Sequence, residues 1–398
     1  MDENMNPEKE GIQNNTYMYT YTISYEKDIY NTPSLNANLD HNVLGSPLQS
    51  EFTLYNAFSA REVQLEEILS DSIKEPKTIM TKISQSEKEK ILEKVFKYEL
   101  SPVVQDFVGG YNRLYGKRSN FLWKWLGVVY RESGVALSTV DPKYTDSVTD
   151  TKILFTMLFS ILDDTSEYYK DEKLMEDLLS ILSNNFDKKK IEKNEQLMFF
   201  KKLWDYFQNE IKKYPRYHDL KDMFQYDLNQ MMNSVRYCYL MNKKPEYINL
   251  QEMEIFGSYN MIVFILNGID LLASPDFDKK DLPYLRTIFY NAQQMARIGN
   301  WLSTWKREIK EEDVSSGVFA YAFSNNIIHP DELKNLEEDE IIKRIENSGM
   351  LEYFIGSWKE NYDNIKKYKK SIKSVDIDKY ISGLENLIKL HLASEGFK

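Results

Sequence analysis

The sequence predicts an all-α protein, from its composition and from the spacing of its apolar residues. Gly and Pro number only 15 and 11 among 398 residues, which favours long helices over a turn-rich β architecture. Apolar residues recur at intervals of three and four along most of the chain, as they do on one face of a helix. With 42% apolar and 14% aromatic residues, the chain is also too hydrophobic to remain disordered.

The chain is predicted to form one helical domain after an N-terminal arm. Residues 1–50 are rich in Asn, Tyr, Ser and Pro and lack periodicity, so we expect a flexible or loosely packed arm. Helical patterns begin near residue 60, and no internal repeat or Gly- or Ser-rich linker divides the chain beyond that point. Residues 51–398 are therefore expected to fold as a single α-helical domain.

The individual helices are predicted from their start and stop signals. Ser86 and Glu89 have the spacing of a capping box just before an apolar run, which indicates a helix N-terminus. Apolar residues between 197 and 211 repeat at three to four and stop before Pro215. Pro283 lies where the first turn of a helix tolerates proline. Later helices are expected over residues 221–242, 248–273, 282–310, 331–348 and 351–392.

Composition and charge exclude several classes of protein. The formal net charge of −11 argues against a general nucleic-acid binder, which would present a basic surface. The single cysteine, Cys238, excludes an internal disulfide framework and a multi-cysteine zinc site. The apolar stretches fall short of the ~18 uninterrupted residues of a membrane span, and the polar N-terminus lacks a signal-peptide core. We expect a soluble, cytoplasmic monomer or homodimer with no membrane span.

A first acidic cluster follows a strongly apolar helical stretch, residues 152–162. Asp163 and Glu167 are four residues apart and share a helix face, and Asp164 lies between them. Phe155 and Phe159 lie on the same face, two turns and one turn before Asp163 respectively. Such acids at the end of a buried helix are costly unless they are paired or bound to metal. The alternative is that the helix leaves the core at this point and the acids are solvated.

A second cluster forms an oxygen-bearing stripe along the helix predicted over residues 282–310. Asn300, Thr304 and Glu308 step by four twice, and Arg297 and Arg307 border them. Carboxylate, amide and hydroxyl oxygens are the ligands that Mg²⁺ prefers, and Mg²⁺ commonly bridges to substrate phosphates. Guanidinium groups bind phosphate oxygens in a fork. Two facing helices with such stripes would clamp a diphosphate, whereas the plainer interpretation is an amphipathic helix with an ordinary polar face.

Together the two clusters resemble the metal-binding motifs of class I terpene synthases, in composition, order and separation. Asp163-Asp164-x-x-Glu167 looks like the aspartate-rich motif, and Asn300-x-x-x-Thr304-x-x-x-Glu308 looks like the second motif, with Arg307 before its last acid. The resemblance covers roughly residues 85–395. It implies a single bundle of mostly antiparallel helices around a deep apolar cavity, with both motifs at its mouth. The implied cofactor is Mg²⁺, with three ions expected and Mn²⁺ as a substitute.

Three departures from the family pattern leave the diphosphate-sensing arginine open. Trp301 stands where the second motif usually has an acidic residue, and Glu254 stands where bacterial members carry the sensing Arg. The C-terminal Arg-Tyr pair of those members is also missing. By helical phase we expect Arg297 to be the sensor, with Arg236 second and Arg286 as a further candidate.

The resemblance implies a carbon–oxygen lyase acting on a prenyl diphosphate, either farnesyl or geranylgeranyl diphosphate. Metal-assisted ionisation would release diphosphate, and the carbocation would cyclise to a sesqui- or diterpene in a pocket lined by Phe155 and Phe159. One alternative is an isoprenyl chain-elongating prenyltransferase, although that class normally has two DDxxD motifs. The other alternative is a non-catalytic helical interaction protein.

Overall fold

The computed structural model describes residues 83–394 and residue 397, and within this range every regular element is helical. The all-α prediction is therefore confirmed. The described residues belong to one compact unit. The arm predicted over residues 1–50 lies outside the described residues.

The first half of the described chain contains eight α-helices. They are α1 (Gln85–Lys97), α2 (Pro102–Leu114), α3 (Asn120–Glu132), α4 (Thr145–Asp163), α5 (Glu172–Leu182), α6 (Lys188–Ile191), α7 (Glu195–Ile211) and α8 (Tyr217–Lys243). A π-helical turn, Asp164–Tyr168, follows α4 directly.

The second half of the described chain contributes seven more α-helices. They are α9 (Leu250–Ile255), α10 (Val263–Leu272), α11 (Leu282–Glu311), α12 (Gly317–Ser324), α13 (Glu338–Glu346), α14 (Met350–Tyr368) and α15 (Ile377–Ala393). A 3₁₀ turn, Gly257–Met261, separates α9 from α10. Another, Lys369–Ser371, follows α14, so the helix predicted over residues 351–392 is in fact two.

The first helix begins two residues earlier than the sequence pattern indicated. Ser84, and not Ser86, is the N-cap: its hydroxyl accepts a hydrogen bond from the Glu87 N–H, and the Glu87 carboxylate accepts one from the Ser84 N–H. Both Ser-x-x-Glu strings fit the capping-box rule, and the one that forms is the earlier. The cap predicted at Ser86 was wrong.

The single helix predicted over residues 248–273 was also wrong. Asn249 caps α9, and the chain then tightens into the 3₁₀ turn and reaches Ile262 with φ of 50°. The left-handed region costs a non-glycine residue about 1–2 kcal/mol, and a β-branched side chain is unusual there. The left-handed Ile262 immediately precedes α10, and the 3₁₀ turn before it contacts both α8 and α11.

Six helices contact one another in a closed ring. In order around the ring, α3 contacts α4, α4 contacts α10, α10 contacts α11, α11 contacts α15, α15 contacts α1, and α1 returns to α3. The last residues of α4 and the whole of α11 thus lie in one ring, with α8 and the turn Gly257–Met261 packed beside them. Both predicted motifs are carried by members of this ring.

Within the described residues, no single helix has the length and apolar character needed to cross a membrane. The bent pair Leu250–Met261 and Val263–Leu272 meets those criteria only when its two halves are taken together.

Candidate functional site

The first acidic motif lies where α4 widens into a π-turn. The helix is buried over nearly all of residues 148–162, and Asp163 is its last residue. Beyond it, the Tyr169 N–H donates to the Asp164 carbonyl at 2.9 Å, an i to i+5 bond that closes the π-turn. Turns of this kind occur often at functional sites. Asp163 is one fifth exposed, whereas only 2% of the Asp164 side chain is open to solvent.

Arg118 binds both aspartates of this motif, a contact that the sequence did not predict. Its Nη2 atom lies 2.5 Å from Asp164 Oδ1 and 3.1 Å from Asp163 Oδ2, and its Nε donates to Asp164 Oδ2 at 3.2 Å. Tyr111 also donates to Asp164, and Lys117 lies 3.7 Å from it. Because Asp164 is fully enclosed by these partners, it is less available to an added ligand than Asp163.

Asn260 joins Asp163 to Glu167 from the 3₁₀ turn between α9 and α10. Its Nδ2 atom donates to Asp163 Oδ1 and to Glu167 Oε1, both at 3.2 Å. Its own Oδ1 atom is buried and has no hydrogen-bond partner among the described residues. The break at Ile262 therefore places an amide directly against the first motif.

The second motif lies along α11 with its oxygen stripe turned partly inward. Arg297 donates to Asn300 Oδ1 at 3.2 Å and to the Ser315 carbonyl at 3.3 Å. Thr304 donates to the Asn300 carbonyl one turn back. Glu308 is buried, and its Oε2 atom finds no hydrogen-bond partner in the described part of the chain, nor does Arg297 Nε. The motif thus contains a buried carboxyl group and a buried guanidinium group, and each has one polar atom that makes no hydrogen bond within the described residues.

The acids of the two motifs act electrostatically on one another. Burial raises the pKa of the Glu167 carboxyl well above its ordinary value, and the charges of Asp163, Asp313 and Glu308 raise it further. Burial likewise raises the pKa of Glu308 to about 8, with Asp313 adding to the shift. The pKa of Asp163 is also raised, mainly by burial, although Arg118 opposes the change.

One arginine opposes this build-up of negative charge from the centre of the cluster. The Arg297 guanidinium lowers the pKa of Asp163, Glu167 and Glu308 alike, while the Asp313 carboxylate raises all three. Residues from α4, its π-turn, α11 and the loop after α11 therefore share one electrostatic environment, buried at Glu308 and Asp313 and part-buried at Asp163 and Glu167. We call these four residues the acid cluster.

The other predicted phosphate-binding arginines are engaged elsewhere. Arg236 is 44% exposed and forms a two-bond fork with Glu176. Arg286 forms a similar fork with the buried Asp227. Arg307 is 46% exposed, and its Nε lies 3.7 Å from Glu311. Of these arginines only Arg297 is buried within the acid cluster.

An apolar pocket lies beside α11, on the ring of helices. Its volume is about 10 Å³, which is room for about one water molecule. It is lined by Met295, Ala296, Gly299, Trp358, Leu384, Leu387, Ile388 and His391. The predicted lining residues do not belong to it: Phe155 is fully buried against Phe207 with ring centres 5.0 Å apart, and Phe159 is 8% exposed on α4.

The residue types of the acid cluster suit a hard divalent cation. Carboxylate and amide oxygens are its preferred ligands. The Oε2 atom of Glu308 and the Oδ1 atom of Asn260 are buried acceptors that no donor of the described residues reaches. Arg118 and Asn260 already donate hydrogen bonds to the acids of the first motif. Among the described residues, no group of three or more His, Cys, Asp or Glu side chains is arranged to bind a metal ion. A cation would therefore have to replace some of the contacts of Arg118 and Asn260.

Comparison with known proteins yields structural neighbours without sequence relatives. No protein-family model matches the chain, and no curated protein matches it. Isoprene synthase from grey poplar (Populus x canescens), in complex with three Mg²⁺ ions and dimethylallyl-S-thiolodiphosphate, aligns with a TM-score of 0.49 and 17% identity. That alignment covers 77% of this chain and 54% of the neighbour, so this chain matches about half of the poplar enzyme's length.

Two further neighbours align at similar or lower scores. A second structure of the poplar enzyme gives a TM-score of 0.48 and 16% identity over 77% of this chain and 53% of its own. Polyprenyl synthetase from Streptomyces coelicolor gives a TM-score of 0.44 and 12% identity over 79% and 98%. Because these TM-scores lie below 0.5, the likenesses do not bear on the assignment of function.

Proposed function

We propose that the protein is a Mg²⁺-dependent class I terpene synthase. Its substrate is an allylic prenyl diphosphate, farnesyl or geranylgeranyl diphosphate, and its products are diphosphate and a cyclic sesqui- or diterpene. The observation that carries the proposal is the electrostatic link between two motifs far apart in sequence: the charge of Glu308 raises the pKa of Glu167, and the buried Arg297 lowers the pKa of Asp163, Glu167 and Glu308 alike.

The motif residues would hold the cation through oxygen atoms only. The proposed ligands are Asp163, Asp164, Glu167, Asn300, Thr304 and Glu308. When bound, a divalent cation supplies the positive charge that stabilises a departing diphosphate. Among the described residues, Arg297 opposes the charge of Asp163, Glu167 and Glu308, and Arg118 pairs with Asp163.

Arg297 is the residue proposed to bind the diphosphate itself. Its Nε atom is buried and unpaired among the described residues, while Nη1 and Nη2 are held by Asn300 and Ser315. A guanidinium fixed in this way presents a preorganised donor to a phosphate oxygen and loses little freedom on binding. Arg307, on the exposed side of α11, would help only where substrate reaches the helix end.

The reaction needs a place where a carbocation meets no water. Residues 153–162 of α4 are almost wholly apolar and buried directly before the first motif, and Trp301 is fully buried within the second. Aromatic faces stabilise cations through their quadrupoles, so Phe159 and Trp301 are suited to this part of the site. The chain needs no nucleophile or general base for the ionisation step.

A product assay tests the proposal. The protein is incubated with Mg²⁺ and each allylic diphosphate from C10 to C20, and diphosphate release is measured beside extraction of hydrocarbons and alcohols. We expect release with at least one substrate, together with a cyclic product. Glu308→Gln should lower the rate about 100-fold, as loss of one preorganised charged group does in other enzymes. Glu338→Gln, an acid on the exposed side of α13, should leave the rate unchanged.

Added isopentenyl diphosphate separates this proposal from its alternative. Chain elongation without any cyclic product would assign the protein to the prenyltransferases. No release of diphosphate from any substrate, with either Mg²⁺ or Mn²⁺, would refute the enzymatic assignment.

A further inference from the structure

The loop after α11 folds back over the acid at the end of the second motif. Glu312 adopts a left-handed conformation with φ of 52°, and the Asp313 N–H then donates to the Glu308 carbonyl at 3.0 Å. The reversal brings Asp313 over the last turn of α11. Asp313 is 9% exposed, so this carboxylate is buried although it follows two other acids in an apparently solvated run.

The Asp313 carboxylate is fixed in place by neighbours on both sides. Asn242, at the end of α8, donates to Asp313 Oδ1 at 2.9 Å and accepts from the Val314 N–H at 2.8 Å. The Ser315 N–H and hydroxyl donate to the same Oδ1 at 3.0 and 2.7 Å. All three bonds to the carboxylate end on Oδ1, so Oδ2 takes part in none of them.

The loop that fixes this carboxylate is joined to the second motif at two points. The Asp313 N–H donates to the Glu308 carbonyl at 3.0 Å, and the Ser315 carbonyl accepts from Arg297 at 3.3 Å. Burying a carboxylate is costly unless it is paired or bound to a cation. Holding Asp313 buried beside the second motif is therefore unfavourable for stability alone.

Two further atoms indicate that the cluster is built for a ligand. Glu308 Oε2 and Arg297 Nε are both buried on residues less than 10% exposed, and neither has a hydrogen-bond partner among the described residues. Arg297 also donates to the Ser315 carbonyl, so the loop that carries Asp313 is tied to the same arginine. The unused acceptor and donor would be satisfied by a cation and an anionic group.

We propose that Asp313 is a further cation-binding carboxylate of this site, positioned by Asn242 and Ser315 to share a divalent cation with Glu308. The sequence motifs do not include it. The inference rests on the proposed function for its choice of Mg²⁺.

The test uses the full-length protein with Asp313→Asn and a matched control one residue away. Asn at this position keeps an Oδ1 acceptor for Asn242 and Ser315 but removes the charge. Glu312→Gln removes the same charge from an exposed side chain of the same loop. Calorimetric titration with Mg²⁺, in the presence of inorganic diphosphate, measures affinity, and thermal unfolding without metal measures stability.

Asp313→Asn should weaken Mg²⁺ binding by about 10-fold or more, in the range seen when a residue supporting a metal site is lost. Its unfolding temperature without metal should equal or exceed that of the wild type, because a like charge has been removed. Glu312→Gln should change the affinity by less than about twofold.

Other results decide against the inference. If Asp313→Asn binds Mg²⁺ as the wild type does while Glu308→Gln does not, Asp313 is no ligand and the proposed function stands. If Asp313→Asn is less stable without metal or fails to fold, the residue serves only to hold the loop. If the wild type binds no Mg²⁺, the proposed function fails and this inference fails with it.

Discussion

The most informative change for the fold is Lys152→Met, because it leaves a buried carboxylate without its partner. Lys152 Nζ lies 2.7 Å from Asp270 Oδ1, and the two side chains are 1% and 0% exposed. At that distance their attraction is about 6 kcal/mol for an effective dielectric constant near 20, before desolvation is subtracted. Removing one member of such a pair costs about 3–5 kcal/mol. We expect a loss of this size near pH 8.

The loss should depend on pH with a definite sign. Burial raises the pKa of the Asp270 carboxyl, while Lys152 and the Leu137 N–H hold it down. Without Lys152 that pKa rises further. A carboxyl whose folded-state pKa exceeds its unfolded-state pKa stabilises the fold below the unfolded pKa, and the contribution is lost as pH rises through the folded pKa. The variant should therefore be closer to wild type near pH 5 than near pH 8.

Denaturant unfolding of both proteins at the two pH values measures this difference. The control is the double variant Lys152→Met with Asp270→Asn, whose amide oxygen still accepts from the Leu137 N–H. The double variant should recover much of the lost free energy of unfolding. Its difference from wild type should be the same at both pH values. A cost below about 1 kcal/mol near pH 8, or an equal cost at both pH values, would show that the pair does not act as described.

Two further predictions concern packing and the proposed site. Gly109 and Gly110 are neighbours on α2, but an added Cβ meets nothing within 4 Å at Gly109 and lies 2.3 Å from the Phe199 ring at Gly110. Gly109→Ala should therefore raise the free energy of unfolding by about 0.5–1 kcal/mol, and Gly110→Ala should lower it by about 1–3 kcal/mol. Thermal or denaturant unfolding measures both changes, and the reverse order would contradict the packing. Phe159→Ala should alter the hydrocarbon products more than it weakens Mg²⁺ binding, as judged by product chromatography and calorimetry; an unchanged profile would remove Phe159 from the lining.

The long, uninterrupted helices were the part of the fold that sequence could predict well. The helix expected over residues 282–310 is found as Leu282–Glu311, because its apolar period is regular and Pro283 marks its first turn. The helix expected over residues 248–273 ends at Ile255, just before Gly257, and resumes only after the left-handed Ile262, which no glycine or proline marks. Local pattern rules do not foresee a strained conformation that tertiary packing imposes.

The candidate site also has a part that the sequence could predict and a part that it could not. The acids of both motifs were visible as regular four-residue steps, and the structure brings Asp163, Glu167 and Glu308 into one environment. Arg118 and Asn260 were missed because only tertiary contacts, across 45 and 97 residues from Asp163, give them a role. Asp313 carried a misleading signal, since an acidic run after a helix usually indicates a solvated end.

The closure of the helix ring has a consequence for how the chain is made. The helix α1 completes the ring by contacting α15, which is the last helix of the described chain, with Lys389 lying 4.0 Å from Glu87. During translation the side of α1 that contacts α15 emerges long before its partner exists, although α3 can pack against α1 much earlier. Contacts between segments so far apart in sequence slow folding and prolong the exposure of apolar surface. A chain truncated before residue 377 would therefore leave the ring open, and we expect it to aggregate more readily than the full-length chain.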